Sequence, residues 1–212
     1  MVFLIILTSL STLALGQERS SAPRFSRHEL FGGIGVGQTF EDDVTRTGFA
    51  GDYTTEDVEN LGYLYHFNRC AAVGLQYYYC GVMFYDIPAI DANSGERYHE
   101  DIAVEIINWG LRGQWVASRS NVQPYAYLSA NAITGSSVSN RLAPNNLTGW
   151  SIGAGAGLKW VVAKHFALSG EVLGFSGTAR WDSPFFRSST SKDYDPSMVG
   201  FLISGSFLWG KR

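Results

Sequence analysis

The chain has 212 residues, enough for one domain or one barrel with its own core. A formal net charge of −3 and a pI of about 5.8 leave no basic surplus for nucleic acid, so no nucleic-acid partner is expected. Charged residues are only 17%, with 24 glycines and 14% aromatics, whereas an ordinary soluble domain carries about 25% charge; the mixture suits strands that keep small residues on one face.

Residues 1–16 begin MVFLIILTSLSTLALG and carry no charged side chain. The apolar run is shorter than the roughly 20 residues a membrane-spanning helix needs. It reads as a signal peptide, with Ala14-Leu15-Gly16 as the small-x-small cleavage site. Residues 17–27, QERSSAPRFSR, read as a flexible lead-in, and residues 28–212 as the folded body.

From His28 onward, period-two alternation predicts eight strands at about 28–40, 56–67, 70–85, 102–117, 122–137, 147–162, 166–181 and 196–209. The connections after strands two, four and six are short. Those after strands one, three, five and seven are longer and rich in Asp, Gly, Ser, Asn and Thr, from EDDVTRTGFAGDYTTE to DSPFFRSSTSKDYDPS. Strict alternation of short and long connections predicts an up-and-down meander whose two ends face different compartments. Membrane-spanning barrels have that build and an even number of strands. Cys70 and Cys80 fall ten residues apart on the third strand, about 33 Å along it. That is far beyond the roughly 7 Å between Cα atoms of a disulfide, so no bridge is expected.

Sorting each strand by parity gives one bulky apolar face and one small or polar face. Strand four opposes Ile107, Trp109, Leu111 and Trp115 to Asn108, Gly110, Arg112 and Gln114. Strand six, GWSIGAGAGLKW, opposes Trp150, Ile152, Ala154, Ala156, Leu158 and Trp160 to Ser151, Gly153, Gly155, Gly157 and Lys159. A soluble barrel would have to turn the bulky set inward, yet eight strands leave an interior that ordinary side chains already fill. The bulky set therefore faces lipid and the small polar set faces inward. Trp150 and Trp160 lie about 33 Å apart along the strand; tilted by about 35–45°, that matches an apolar band about 25 Å tall. They fall at the two membrane interfaces, and Tyr65, Trp115, Phe166 and Trp209 complete an aromatic girdle at the short-turn end. The fold class is thus all-β: an eight-stranded antiparallel up-and-down transmembrane β-barrel.

Over residues 28–209 this pattern resembles the small bacterial outer-membrane β-barrels, the OmpA-type transmembrane domain and the OmpX-like family. The last strand, MVGFLISGSFLW, is similar to that family's C-terminal assembly strand. The resemblance implies the bacterial outer membrane, with residues 17–27 on the periplasmic side. It implies outer-membrane lipid and lipopolysaccharide as surroundings, and periplasmic chaperones and the barrel-insertion machinery as assembly partners. A monomer is expected.

The glycine clusters at 32–37 and 153–157 fit no nucleotide-binding spacing and precede no helix; they read as room on a crowded inner face, and no cofactor is expected. Ions held away from water need partners. A sixth hairpin centred on His165 sets Lys159 opposite Glu171, with Arg112 reaching the same structural network. His28, His66, His99 and His165 share no metal-ligand spacing, so no metal site is expected. The acids of the first two long loops, Glu41 to Asp57 and Asp86 to Asp101, read as solvated, with divalent cations at lipopolysaccharide as the sharper alternative. The chain is also similar in places to barrels that deacylate lipid A. Their catalytic strand pairs His and Ser two residues apart, because the hydroxyl needs a base; here that place reads Gly174-Phe175-Ser176. The base is missing, and no enzyme is expected. The expected role is surface structure, adhesion or envelope integrity through four loops on a filled barrel. A narrow porin-like channel and a deacylase-like barrel are the alternatives.

Overall fold

The computed structural model describes residues 26–39, 53–90, 97–118, 120–138, 146–181, 192–194 and 197–211. Eight long strands run β1 (Ser26–Thr39), β2 (Tyr53–His66), β3 (Ala71–Ile90), β4 (Arg97–Val116), β5 (Val122–Val138), β6 (Asn146–Ala163), β7 (Phe166–Trp181) and, after the three-residue β8 (Lys192–Tyr194), β9 (Met198–Lys211). Each pairs antiparallel with its neighbour, and β9 returns to β1, so the sheet closes into a barrel. β8 only prolongs the β7 edge, at Ala179–Trp181. Closure gives each of the eight long strands two partners and leaves no free edge among them in lipid, where an unpaired backbone group is costly. Residues 1–25, with the expected signal peptide and most of the expected lead-in, lie outside the described residues; the last two residues of that lead-in, Ser26 and Arg27, belong to β1 instead.

The inside-out pattern is complete. Leu128 is 71% exposed and Ile34 69%, while Arg112 is 2% and Lys159 and Glu171 each 3% exposed. Trp150, Leu158 and Phe201 all face outward. On β4 the outward apolar run Ile107–Trp115 stops at an exposed Glu105. That run matches the roughly 9–11 residues with which a tilted strand crosses a bilayer.

The glycines of β6 make the narrow interior possible. Tyr125 pairs with Gly157, Tyr127 with Gly155 and Ser129 with Gly153, and on the other side Gly153 pairs with Phe175. A Cβ on Gly153 would meet the Phe175 ring at 2.5 Å, one on Gly157 the Tyr125 hydroxyl at 2.7 Å, and one on Gly155 would meet the Tyr127 ring. Large side chains from β5 and β7 thus lie over the bare backbone of β6.

Two details differ from the sequence reading. The stretch after the third strand is not all loop: β3 runs to Ile90 and β4 starts at Arg97, with Ile87–Ile90 paired to Arg97–Glu100 beyond an irregularity after Phe84. At 20 residues each these strands are about 66 Å long, so their paired ends stand well beyond the membrane. Cys70 lies in the turn before β3, exposed, and Cys80 is buried inside the barrel; both are free thiols.

Candidate functional site

The interior is layered. Its half toward the short turns is polar and ionic; its half toward the long connections is apolar. The ionic layer draws on inward positions of all eight long strands, and two carboxylates organise it. Glu171 on β7 lies 3.1 Å from Arg112 Nη2 on β4. Tyr125 donates to the same carboxylate at 2.7 Å, and Tyr78 and Tyr127 donate to its other oxygen at 3.3 Å each. The guanidinium lies 3.5 Å from the centre of the Tyr127 ring and donates to Gln114 Oε1 at 2.9 Å. Its charge is therefore balanced by a carboxylate, aromatic faces and an amide.

The second carboxylate is Glu29 on β1. Lys159 Nζ on β6 lies 2.5 and 2.6 Å from its two oxygens. His66 Nε2, at the end of β2, lies 3.0 Å away, and Ser206 on β9 donates at 2.8 Å. Toward the middle of the barrel, uncharged groups take over: Gln76 donates to Asn131, Asn131 to Ser151, and Ser151 to Asn108, at 2.8, 3.2 and 3.0 Å. Beyond them Val58, Val82, Ile106, Ile133, Leu173 and Leu202 pack as one apolar cluster.

Arg112, Lys159 and Glu171 all face inward, but Lys159 does not pair with Glu171 as the sequence reading expects. Lys159 stands opposite Ser169, and Glu171 opposite Gly157. The turn is the two residues Lys164-His165, and an irregularity between Val161 and Ala163 takes up one more. Together they move the register by two residues, enough to give Lys159 to Glu29 and Glu171 to Arg112. Glu29 and His66 complete the layer beside the three residues expected there. The signal for Glu29 is its parity with Phe31 and Gly33 on β1; His66 stands at a strand end, where exposure is the ordinary outcome.

The aromatic positions fall as follows. Tyr65, Trp115, Trp160 and Phe166 are exposed on the outer wall near the short turns. Trp209 is half-buried there, its ring stacked 5.4 Å from His28 and 5.7 Å from Phe207. Trp150 is exposed nearer the long connections, in register with Ala132 and, across it, with exposed Trp109. Trp109 shares the parity of Leu111 and belongs with the others on that ground. Among the described residues, no group of three or more His, Cys, Asp or Glu is placed to hold a metal ion.

Solved structures share this architecture. Neisserial surface protein A (NspA) matches with a TM-score of 0.54 at 12% identity, covering 87% of this chain and 98% of its own. The outer membrane protein OprG from Pseudomonas aeruginosa matches at 0.53 and 15% identity, over 88% and 98%. The attachment invasion locus protein Ail of Yersinia pestis, in complex with the heparin analogue sucrose octasulfate, matches at 0.50 and 16%, over 85% and 96%. The chain shares the fold of these proteins, a closed eight-stranded antiparallel β-barrel. No protein-family model matches it, and no curated protein matches it by sequence. The barrel's exposed apolar belt suits a membrane, and OprG among these neighbours is an outer membrane protein. Their likeness covers the strands and closure; it does not extend to what any of them binds.

Proposed function

We propose that this outer-membrane barrel is a non-conducting, non-catalytic frame that displays its long connections at the cell surface, for adhesion or envelope integrity. The observation that carries the reading is the filled lumen. An ion crossing the barrel would first have to separate the buried pairs Arg112–Glu171 and Lys159–Glu29. It would then meet the packed apolar layer of Ile106, Ile133, Leu173 and Leu202, where nothing replaces its water. The paired charges balance one another, so the network of Arg112, Lys159, Glu171 and Glu29 fills and fastens the interior.

Ser176 supports no deacylase: it pairs with Ile152 on β6, and Gly174 stands where a base would be needed. The connections at 40–52, 91–96, 139–145 and 182–197 carry nine Asp or Glu against four Arg or Lys. That sign opposes a sulfated glycan such as the analogue bound to Ail, and suits a cationic surface or lipopolysaccharide bridged by divalent ions. The barrel works as a monomer among outer-membrane lipid and lipopolysaccharide, and reaches them through periplasmic chaperones and the insertion machinery. The test is conductance across a planar bilayer. The filled lumen predicts no stepwise current; a stable unitary current would replace the frame with a narrow channel.

A further inference from the structure

One sector of the outer wall is grooved rather than evenly covered. Across β4, β5 and β6, two rows of outward residues run Trp109–Ala132–Trp150 and Leu111–Ala130–Ile152. Trp109, Leu111, Trp150 and Ile152 are strongly exposed and stand proud of the alanines between them. Neighbouring strands lie about 4.8 Å apart, which sets the two walls about 10 Å apart. The result is a groove along β5 with aromatic and aliphatic sides. The next outward residue of β5, Leu128, is 71% exposed and closes the groove toward the short turns. Toward the long connections the groove opens on a polar row, Thr134–Thr148–Arg180, in register across the adjacent strands β5, β6 and β7. All three side chains are exposed. Asp193 of β8 is in register with Arg180, yet Arg180 forms no ion pair with any described residue. Glu105 lies on β4, across the groove from Arg180, where Tyr79 donates to it at 3.5 Å. An anion at the mouth is therefore drawn to the β6–β7 side.

Interfacial tryptophans mark the level where acyl tails give way to headgroups. Trp150 is such a residue, and Thr148 and Arg180 stand one row beyond it. We propose that this groove is a binding site for lipid A, the phosphorylated and multiply acylated glycolipid of lipopolysaccharide. One acyl chain lies over Ala130 and Ala132, between Trp109 and Trp150, and a phosphate meets Arg180, Thr148 and Thr134. Within a bilayer, close packing rather than release of water holds apolar groups together. A chain in the groove is touched on three sides, where a flat wall touches it on one. A phosphate monoester carries a charge of about −1.5 to −2 and three acceptor oxygens, which suits one guanidinium and two hydroxyls. The diester of a phospholipid carries less charge and fewer free oxygens. The site rests on the reading of the long connections as the outer side, where that glycolipid resides.

The test is native mass spectrometry of the intact barrel released from micelles doped with equal lipid A, dephosphorylated lipid A and phosphatidylglycerol. A basic side chain at an anionic lipid surface favours binding by about fivefold. The wild type is therefore expected to retain lipid A about fivefold over its dephosphorylated form, and to prefer it to phosphatidylglycerol; neither readout depends on a variant folding. Arg180→Gln is expected to retain the two forms of lipid A equally. Ala132→Phe fills the groove from the lipid side and is expected to lose both forms while keeping heat-modifiable gel mobility. Equal retention of the two forms by the wild type would overturn the site. So would a phosphate preference that survives Arg180→Gln, retention unchanged by Ala132→Phe, or no preference over phosphatidylglycerol. Micelles impose no sidedness, so failure here leaves the surface-display reading standing, and a conducting lumen would leave this site standing.

Discussion

Arg112 shows how a single residue decides whether the interior holds together. Its guanidinium is the cation beside Glu171; three tyrosine hydroxyls solvate that carboxylate but cannot neutralise it. Breaking such a buried pair by removing one partner costs about 3–5 kcal/mol, because the survivor remains charged and dry. Arg112→Leu is expected to lower the unfolding free energy in urea by that amount. Arg112→Leu combined with Glu171→Leu is expected to recover most of it, since apolar replacement of a whole pair is often neutral or better. A double variant as weak as the single one would mean that the pair stabilises in its own right. At this scale the sequence is only partly legible. Parity alone turns Arg112, Lys159 and Glu171 inward, because a charge among lipid-facing Trp and Leu has nowhere else to go. Which charge meets which is not legible, because the two-residue turn and the irregularity at Val161–Ala163 together reassign the partners. Glu29 escapes notice because it is a lone acid near the start of its strand.

At the scale of the strand, β6 carries the test of sidedness. Gly155 lies under the Tyr127 ring, while its neighbour Ala154 faces outward and is exposed. Gly155→Leu is expected to cost about 1–3 kcal/mol or more through overpacking. Ala154→Leu, one residue away, is expected to leave the unfolding midpoint within experimental scatter, since it adds an apolar side chain to an apolar belt. Equal losses at the two positions would remove the alternation. Such alternation makes the membrane-crossing stretch of each strand readable, because lipid on one side and a narrow lumen on the other constrain every residue. The same logic explains the miss at the β3–β4 hairpin. Above the membrane neither face is confined by lipid, so Asp86, Pro88, Asp91 and Gly95 read as loop, although Ile87–Ile90 pairs with Arg97–Glu100.

For the whole molecule, orientation is the claim on which the membrane, the filled lumen and the displayed loops all depend. The composition already leans this way: few charges, many glycines and aromatics, and an alternation that no soluble core of this width could absorb. The closed register shows how the two faces stay separate around the whole cylinder. Leucines occur on both sides of the wall and report on it directly. Leu111 and Leu128 are exposed at 59% and 71%, whereas Leu64, Leu173 and Leu202 are buried. The decisive measurement is proton cross-relaxation from lipid acyl methylenes to leucine methyls, in the methyl-labelled barrel held in nanodiscs. Cross-peaks are predicted to Leu111 and Leu128 and not to Leu64, Leu173 or Leu202. Cross-peaks to the second set without the first would contradict the inside-out barrel.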